Sequence, residues 1–261
     1  MEKSVIWITG ASSGIGEAAA KKFSNEGFQV IISARNTQAL ERVKSACSLP
    51  SEVFVLRLDL EEIDTFEDKV KEAIAHFGKV DILLHNGGIS QRSLIRETPL
   101  DVDRKLMEVN FFGTIALTKA ILPHFISRNS GHFAVISSLV GKFGSPFRSS
   151  YAASKHALHG FFDTLRAEHF QENITVTMIC PGFIRTNVSM NALTADGTAL
   201  GQMDEAQQKG MSPEACAEEL FSAIIRKKEE VNIGGKETLA VLVKRFFPGI
   251  FSKIIKKAKV R

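Results

Sequence analysis

Tyrosine is almost absent from this chain: Tyr151 is the only one, against 19 phenylalanines and a single tryptophan. Packing alone could use Phe for nearly any ring, so a lone phenol four residues before Lys155 asks for a chemical reason. Cysteine is scarce too. Cys47, Cys180 and Cys216 are scattered and odd in number, which excludes a disulfide framework and fits a reducing compartment such as the cytoplasm. Their spacing suits no zinc site, so small buried thiols are expected. No stretch is low-complexity, none repeats, and no Pro/Gly/Ser-rich linker divides the chain. No uninterrupted apolar run approaches the roughly 20 residues of a membrane span. The opening "MEKSVIWITG" passes straight into an apolar strand and lacks the features of a secretory signal. Charge of one sign is also missing from most of the protein: the formal net charge is +4. From Lys236 to Arg261, however, eight Lys or Arg face only Glu237. The remainder is slightly acidic, so a nucleic-acid partner has no support from the body of the chain.

What is present is the make-up of an ordinary globular protein, 44% apolar and 24% charged over 261 residues. That length can bury a substantial core. "VIWIT", "FQVIISA", "EVFVLRL", "VDILLH", "HFAVIS", "ITVTMIC" and "EVNIG" read as short strands. Most are continuous in apolar residues rather than alternating, as in a parallel sheet covered on both faces. Between them lie amphipathic stretches, over about 15–26, 64–77, 101–128 and 150–171. Gly27 and Gly78 stand as C-caps of the first two. Strand–helix–strand units in series predict a doubly wound α/β Rossmann fold, a seven-stranded parallel sheet flanked by helices. We expect a catalytic domain over 1–235 and a basic, amphipathic helical tail over 236–261.

The first strand runs into "TGASSGIG". Gly10, Gly14 and Gly16 stand where strand becomes helix, and Ser12, Ser13 and Ile15 lie between them. Glycine permits a tight turn and a close phosphate approach, and the helix N-terminus offers free N–H groups to a pyrophosphate. The spacing is T-G-x-x-x-G-x-G rather than G-x-G-x-x-G, but the strand–turn–helix context supports a dinucleotide. At the end of the second strand, "SARN" carries Arg35 and no acid, which favours a 2′-phosphate and hence NADP(H) over NAD(H). Asp59, at the end of the third strand, could bond the adenine amino group or cap the next helix.

Tyr151 and Lys155, spaced i and i+4, share one helix face. An ammonium beside a phenol favours phenolate, and such a phenol can exchange a proton with a carbonyl oxygen. Alone, the pair would be an ordinary feature of an amphipathic helix. It has companions. Ser138 ends the fifth strand, thirteen residues before Tyr151. "NGG" (Asn86, Gly87, Gly88) ends the fourth, Asn110 lies in a helical pattern, and "CPGFIRT" (Cys180 to Thr186) ends the sixth. Ligands of open α/β sheets bind outside the carboxyl ends of the strands.

These motifs, in this order and over nearly the whole chain, resemble the short-chain dehydrogenase/reductase family of the compact single-domain type. "NGGISQRSL", "PFRSSYAASKHAL" and "NALTADG" further resemble its microsomal branch called dehydrogenase/reductase member 7. Members of that branch carry an N-terminal membrane segment, with which this sequence does not begin. The resemblance implies hydride transfer between a nicotinamide and a carbonyl or alcohol. Tyr151 would be the general acid/base, Lys155 would lower its pKa and hold the nicotinamide ribose, and Ser138 rather than Ser137 would hold the substrate oxygen. Asn110 would hold a water that links Lys155 to solvent. Asn86 and Gly87 stand where the family usually has N-N-A-G. Pro181 and Gly182 would shape a turn, with Ile184 beside them and Thr186 on the nicotinamide carboxamide. No metal is expected, because the histidines form no ligand motif.

Leu139, Val140, Phe143, Phe147, Phe183 and Met190 suggest an apolar ketone, aldehyde or secondary alcohol. The stretch from Asn187 to Gly210 reads as a mobile lid. The tail, broken by Pro248 and Gly249, can pack on its own core, contact a second subunit, or lie on an anionic membrane surface. Family precedent and the small residues Ala152, Ala153 and Ala157 suggest a homodimer or homotetramer. Two rival functions remain. A non-catalytic dinucleotide sensor has no use for Tyr151 where it stands. A nucleotide-sugar epimerase would carry a different glycine spacing and a larger substrate domain.

Overall fold

The computed structural model describes residues 2–258. Met1 and residues 259–261, the end of the expected tail, lie outside them. In chain order the elements are β1 (Val5–Thr9), α1 (Gly14–Asn25), β2 (Gln29–Ala34), α2 (Thr37–Ser45), β3 (Val53–Arg57), α3 (Phe66–Phe77), β4 (Ile82–His85), α4 (Leu100–Met107), α5 (Gly113–Ser127), β5 (Gly131–Ile136), α6 (Ser149–Glu168), β6 (Ile174–Pro181), α7 (Glu205–Gln208), α8 (Pro213–Ile225), β7 (Glu230–Ile233), α9 (Leu239–Phe246) and α10 (Pro248–Ile255). The seven strands form one sheet, ordered β3-β2-β1-β4-β5-β6-β7. Every pairing is parallel.

Every residue of β1, β4 and β5 is buried, which is why these strands read as nearly continuous apolar runs, broken only by the buried Thr9, His85 and His132. Helices cover both faces. On one side Ile6, Ile8, Val30 and Ile32 pack with Phe23 of α1 and Leu220 of α8. On the other, Val5, Trp7 and Phe133 pack with Val70 of α3, Phe125 of α5 and Phe162 of α6. The Trp7 indole N–H donates to Ser33 Oγ at 2.8 Å, so the one buried indole is satisfied. The strand order reverses between β1 and β4. Diverging connections there leave a crevice at the carboxyl edge.

The helix expected over 101–128 is interrupted. A π-helical turn, Glu108–Phe112, joins α4 to α5, and the Leu100–Ser127 run buries Leu106, Leu117, Ile121 and Phe125. By length and a mean hydropathy of 1.3 this run could cross a bilayer, but its apolar face is spent on the sheet. The helix expected from Asp64 begins at Phe66, after a 3₁₀ turn over Ile63–Thr65. Three helices, α2, the short α7 and α8, were not expected from the sequence, although α2 and α8 carry start signals. Asn36 Oδ1 accepts from Ala39 N to cap α2, and Ser212 Oγ accepts from Ala215 N to cap α8, with Pro213 at its first position.

The tail does break at Pro248, between α9 and α10. Phe251 is buried among Leu139, Val140, Phe143, Ala152 and Cys180, its ring 5.0 Å from that of Phe143. Leu239, Leu242, Phe246, Phe247, Ile250 and Ile254 remain exposed.

Candidate active site

A cavity of about 630 Å³ opens at the carboxyl edge, lined along one wall by Gly10, Ser12, Ser13, Gly14 and Ile15. Gly10 has φ +64°, and a Cβ there would fall 2.7 Å from Gly87 Cα, so both conformation and space require glycine. Gly16 does not line the cavity. A Cβ on it would meet Gly10 O at 2.4 Å and Asn86 Nδ2 at 2.5 Å. Its role is to let α1 start against the loop. Asn86 Nδ2 donates to Thr9 O at 3.1 Å and Gly10 O at 3.0 Å. Thr9 Oγ1 accepts from both Asn86 N and Gly87 N. The ends of β1 and β4 are thereby stitched together, and the His85-Asn86-Gly87-Gly88 turn keeps that function. The glycine turn, the helix N-terminus and the absence of a Cβ at Gly10 leave backbone room suited to a pyrophosphate.

Arg35 and Asp59 line the far end of the same cavity. Arg35 is exposed, and its guanidinium has no hydrogen-bond or ion-pair partner among the described residues. Asp59 Oδ1 accepts from Glu61 N at 3.2 Å, which makes it a turn residue as well as a lining one. Pro181, Gly182, Ile184 and Thr186 line the near end, with Ser138, Tyr151 and Lys155. Every expected cofactor residue except Gly16 therefore borders a single space.

The half-buried Tyr151 stands on α6, with the Ser138 hydroxyl as its hydrogen-bonding neighbour. Burial raises the phenol above its ordinary pKa; the Arg148 guanidinium, the Ser138 hydroxyl and Arg92 pull it back down. The Lys155 ammonium lies over the tyrosine ring, 5.9 Å from its centre, and donates to Ile136 O at 2.8 Å. Burial pushes Lys155 down to about 8. The Arg148 and Arg92 guanidiniums thus act on the phenol in this structure as well, beyond the Lys155 to which the i, i+4 spacing pointed. Asn110, 1% exposed, sits within the π turn behind the cavity wall. Its Oδ1 accepts from Ile89 N at 2.8 Å, and its Nδ2 donates to Ile89 O and to Ser154 Oγ. A Cβ on Gly88 would lie 2.9 Å from Asn110 Oδ1 and 3.7 Å from Lys155 Nζ; the glycine allows those two side chains to close together.

The substrate end departs most from expectation. Leu139, Val140 and Phe143 do not line the cavity; they pack under Phe251. Phe147 holds φ +64° and accepts from Ser93 N through its carbonyl. Phe183 and Met190 also stand off the cavity wall, which Ile89, Ser90, Val188, Asn191 and Leu193 line together with Tyr151 instead. The Asn187–Gly210 segment is pinned. Arg92 N donates to Leu193 O and Leu193 N to Ser90 O, both at 2.8 Å. The Arg92 guanidinium grips Asp204 Oδ2 through Nε at 2.8 Å and Nη2 at 2.5 Å, the pair being 2% and 3% exposed. Gln91, wholly buried, accepts through Oε1 from Ser150 N at 2.9 Å and Tyr151 N at 3.2 Å. It caps the helix that presents the phenol. Sequence reasoning missed Gln91, Arg92, Arg148 and Asp204. The available signal was the polar run Ser90 to Ser93, just beyond the Asn86–Ile89 turn that follows β4.

The family model for short chain dehydrogenases matches residues 4–197. The chain belongs to the short-chain dehydrogenase family. The protein is thus a member of an oxidoreductase family, and its relatives place it in the dehydrogenase/reductase member 7 branch. It is 44% identical over 264 residues to a dehydrogenase/reductase SDR family protein 7-like of Drosophila melanogaster, spanning 98% of this chain and 81% of that one. To dehydrogenase/reductase SDR family member 7B of Mus musculus it is 42% identical over 261 residues, with the same coverage of 98% and 81%. Among solved structures, a short-chain dehydrogenase from Streptomyces avermitilis superposes with TM-score 0.81 at 26% identity, over 97% of this chain and 96% of that one. A short chain dehydrogenase/reductase from Burkholderia phymatum, in complex with NAD, superposes with TM-score 0.83 at 21% identity, over 100% and 97%, and attests to the fold.

Proposed function

We propose that the protein is an NADP(H)-dependent oxidoreductase acting on a ketone, an aldehyde or a secondary alcohol with a largely apolar body, and that Tyr151 is its general acid/base. The observation that carries this reading is that Tyr151, Ser138 and Lys155 border the same cavity as the glycine loop and Arg35. A bound nicotinamide supplies or accepts the hydride. The chain's own residues do the rest. Ser138 holds the substrate oxygen, and Tyr151 gives it a proton during reduction or removes one during oxidation. Lys155 orients the nicotinamide ribose and, charged, favours phenolate. Asn110, wedged against Gly88 and Lys155, supports the relay that returns the proton to solvent. Arg35 receives a 2′-phosphate, Asp59 the adenine amino group, and Thr186 the nicotinamide carboxamide. NAD(H) would occupy the same cradle without engaging Arg35.

A non-catalytic dinucleotide sensor would need the cradle but not the phenol. The test is a panel of ketones and aldehydes assayed with NADPH and NADH on the wild type and on Tyr151→Phe. Turnover with NADPH preference in the wild type, and loss of turnover with cofactor binding intact in the variant, is the expected result. Cofactor binding without any turnover would favour the sensor.

We extend the proposal to assembly. The exposed face of α9 and α10 contacts a second copy of the chain, giving a homodimer or homotetramer. The excess of eight cations over one acid from Lys236 onward makes an anionic membrane surface the rival contact. Leu242→Asp combined with Phe246→Asp leaves Phe251 in place. Loss of self-association in this variant supports the first reading, and loss of liposome binding alone supports the second.

A further inference from the structure

We infer that His159 is a positioning residue for the proposed reaction: as the neutral tautomer with its proton on Nε2, it orients the Ser137 hydroxyl onto the Lys155 carbonyl and so fixes the lysine against the end of β5. This rests on the reading above, in which Lys155 holds the nicotinamide ribose, and adds a residue to that site.

His159 lies on α6, one turn beyond Lys155, and is 8% exposed. Its Nδ1 is 3.2 Å from Lys142 Nζ. An ammonium has donors and no lone pair, so Nδ1 accepts, and a neutral ring then carries its proton on Nε2. The ring is neutral because burial, helped by Lys142 and His156 and opposed by Glu230 and Asp163, pushes it down to about 4. Lys142 is itself held in place: its Nζ donates to Glu230 Oε2 at 2.5 Å, at the start of β7. On the other side of the ring, Nε2 lies 3.0 Å from Ser137 Oγ and 3.7 Å from Cys180 Sγ. Since Ser137 Oγ accepts from the ring, its own proton goes to Lys155 O, at 3.3 Å. One direction of donation therefore runs from Lys142 through His159 and Ser137 to the backbone of Lys155.

The chain ends where the site needs a fixed geometry. Ser137 borders the cavity with Ser138, Tyr151 and Lys155. Lys155 Nζ donates to Ile136 O at 2.8 Å, so the lysine is tied twice to the Ile136–Ser137 step, once through its ammonium and once through its carbonyl. The turn after Ser138 closes tightly over the same atoms. A Cβ on Gly141 would lie 2.5 Å from Ser137 Oγ and 3.2 Å from both His159 Nε2 and Lys155 O. Packing alone would favour an apolar residue here, since an imidazole brings two polar nitrogens that must be satisfied in the interior.

The test has two arms, and neither needs turnover, so a failure of the proposed reaction shows separately in the carbonyl panel. The first is the imidazole ¹⁵N spectrum of the full chain near neutral pH, with His159 assigned by its loss in His159→Gln. We expect the Nε2–H tautomer. An Nδ1–H ring or an imidazolium would overturn the inference. The second arm is equilibrium binding of NADPH, or of NADH where that binds more tightly. His159→Phe and Ser137→Ala should each weaken it about tenfold. His159→Gln, whose amide N–H replaces Nε2–H, should keep it within a few-fold. In a Lys155→Met background, Ser137→Ala should cost nothing further, because the hydroxyl acts through the lysine. Additive losses in that pair, or unaltered affinity in folded Ser137→Ala, would overturn the inference even if His159→Phe proved to be unfolded. A wild type that binds neither cofactor overturns the underlying reading, and this inference with it, before any variant is made.

Discussion

The two ends of the cavity are built in different ways. The cofactor end is backbone: glycines without room for a Cβ, strand ends stitched by Asn86 and Thr9, a helix N-terminus. The substrate end is side chain: a buried Gln91 capping α6, and one carboxylate serving two guanidiniums. The first construction suits a ligand that never changes. The second places charge and hydrogen-bond capacity at the start of α6, and it ties that helix to the 187–210 segment.

The contrast yields separable outcomes. The largest effect belongs to Tyr151→Phe, which should cut turnover about 10²–10⁴-fold and leave NADPH affinity unchanged; parallel loss of both would mean that the phenol serves the cofactor end. Next, Asp204→Asn removes the counter-charge of a buried Arg92 and should cost about 3–5 kcal/mol of stability, read by urea unfolding. A cost under 1 kcal/mol would show that the substrate end is not held by this pair. Gly16→Ala should cost about 1–3 kcal/mol through overpacking and weaken NADPH binding, because its Cβ would strike the loop backbone.

A pH scan sharpens the same boundary. Lys155 titrates near 8 in the fold against an ordinary 10.5, so between those values the unfolded chain binds more protons than the native one. Stability should therefore rise from about pH 8 towards 10.5, and Lys155→Met should lose that rise. A wild-type curve that is flat over this window would contradict the buried position of the ammonium. The smallest effect is expected from Arg35→Ser. Losing one exposed, charge-assisted contact should raise the NADPH KM about tenfold and leave that of NADH alone. Equal losses for both cofactors would remove Arg35 from 2′-phosphate recognition.

The cofactor end was legible in the sequence because its devices are local. Gly10, Gly14 and Gly16 lie within one turn, Arg35 ends its own strand, and Tyr151 and Lys155 share a helix face. Buried apolar strands likewise announced the parallel sheet. The substrate end was not legible, since its bonds join distant positions: Gln91 with Ser150 and Tyr151, Arg92 with Asp204 across 112 residues. In a sequence, "SQRS" reads as a solvated loop; only the fold brings it under the 187–210 segment and buries it. The same reasoning explains Leu139, Val140 and Phe143. Their apolarity was plain, but whether they would face a ligand or Phe251 depended on where α10 returns. The π turn at Asn110 was equally hidden, because periodicity cannot reveal one extra residue in a helix.

In the proposed function, one cavity brings a nicotinamide and a carbonyl together under Tyr151. The most direct test is reduction of an accepted carbonyl by NADPH carrying deuterium at the nicotinamide C4, followed by mass spectrometry of the alcohol. Deuterium on the carbinol carbon of the wild-type product, and about 10²–10⁴-fold slower product formation by Tyr151→Phe, is the result predicted. An unlabelled alcohol with both prochiral C4 positions deuterated, or undiminished product from the variant, would contradict it.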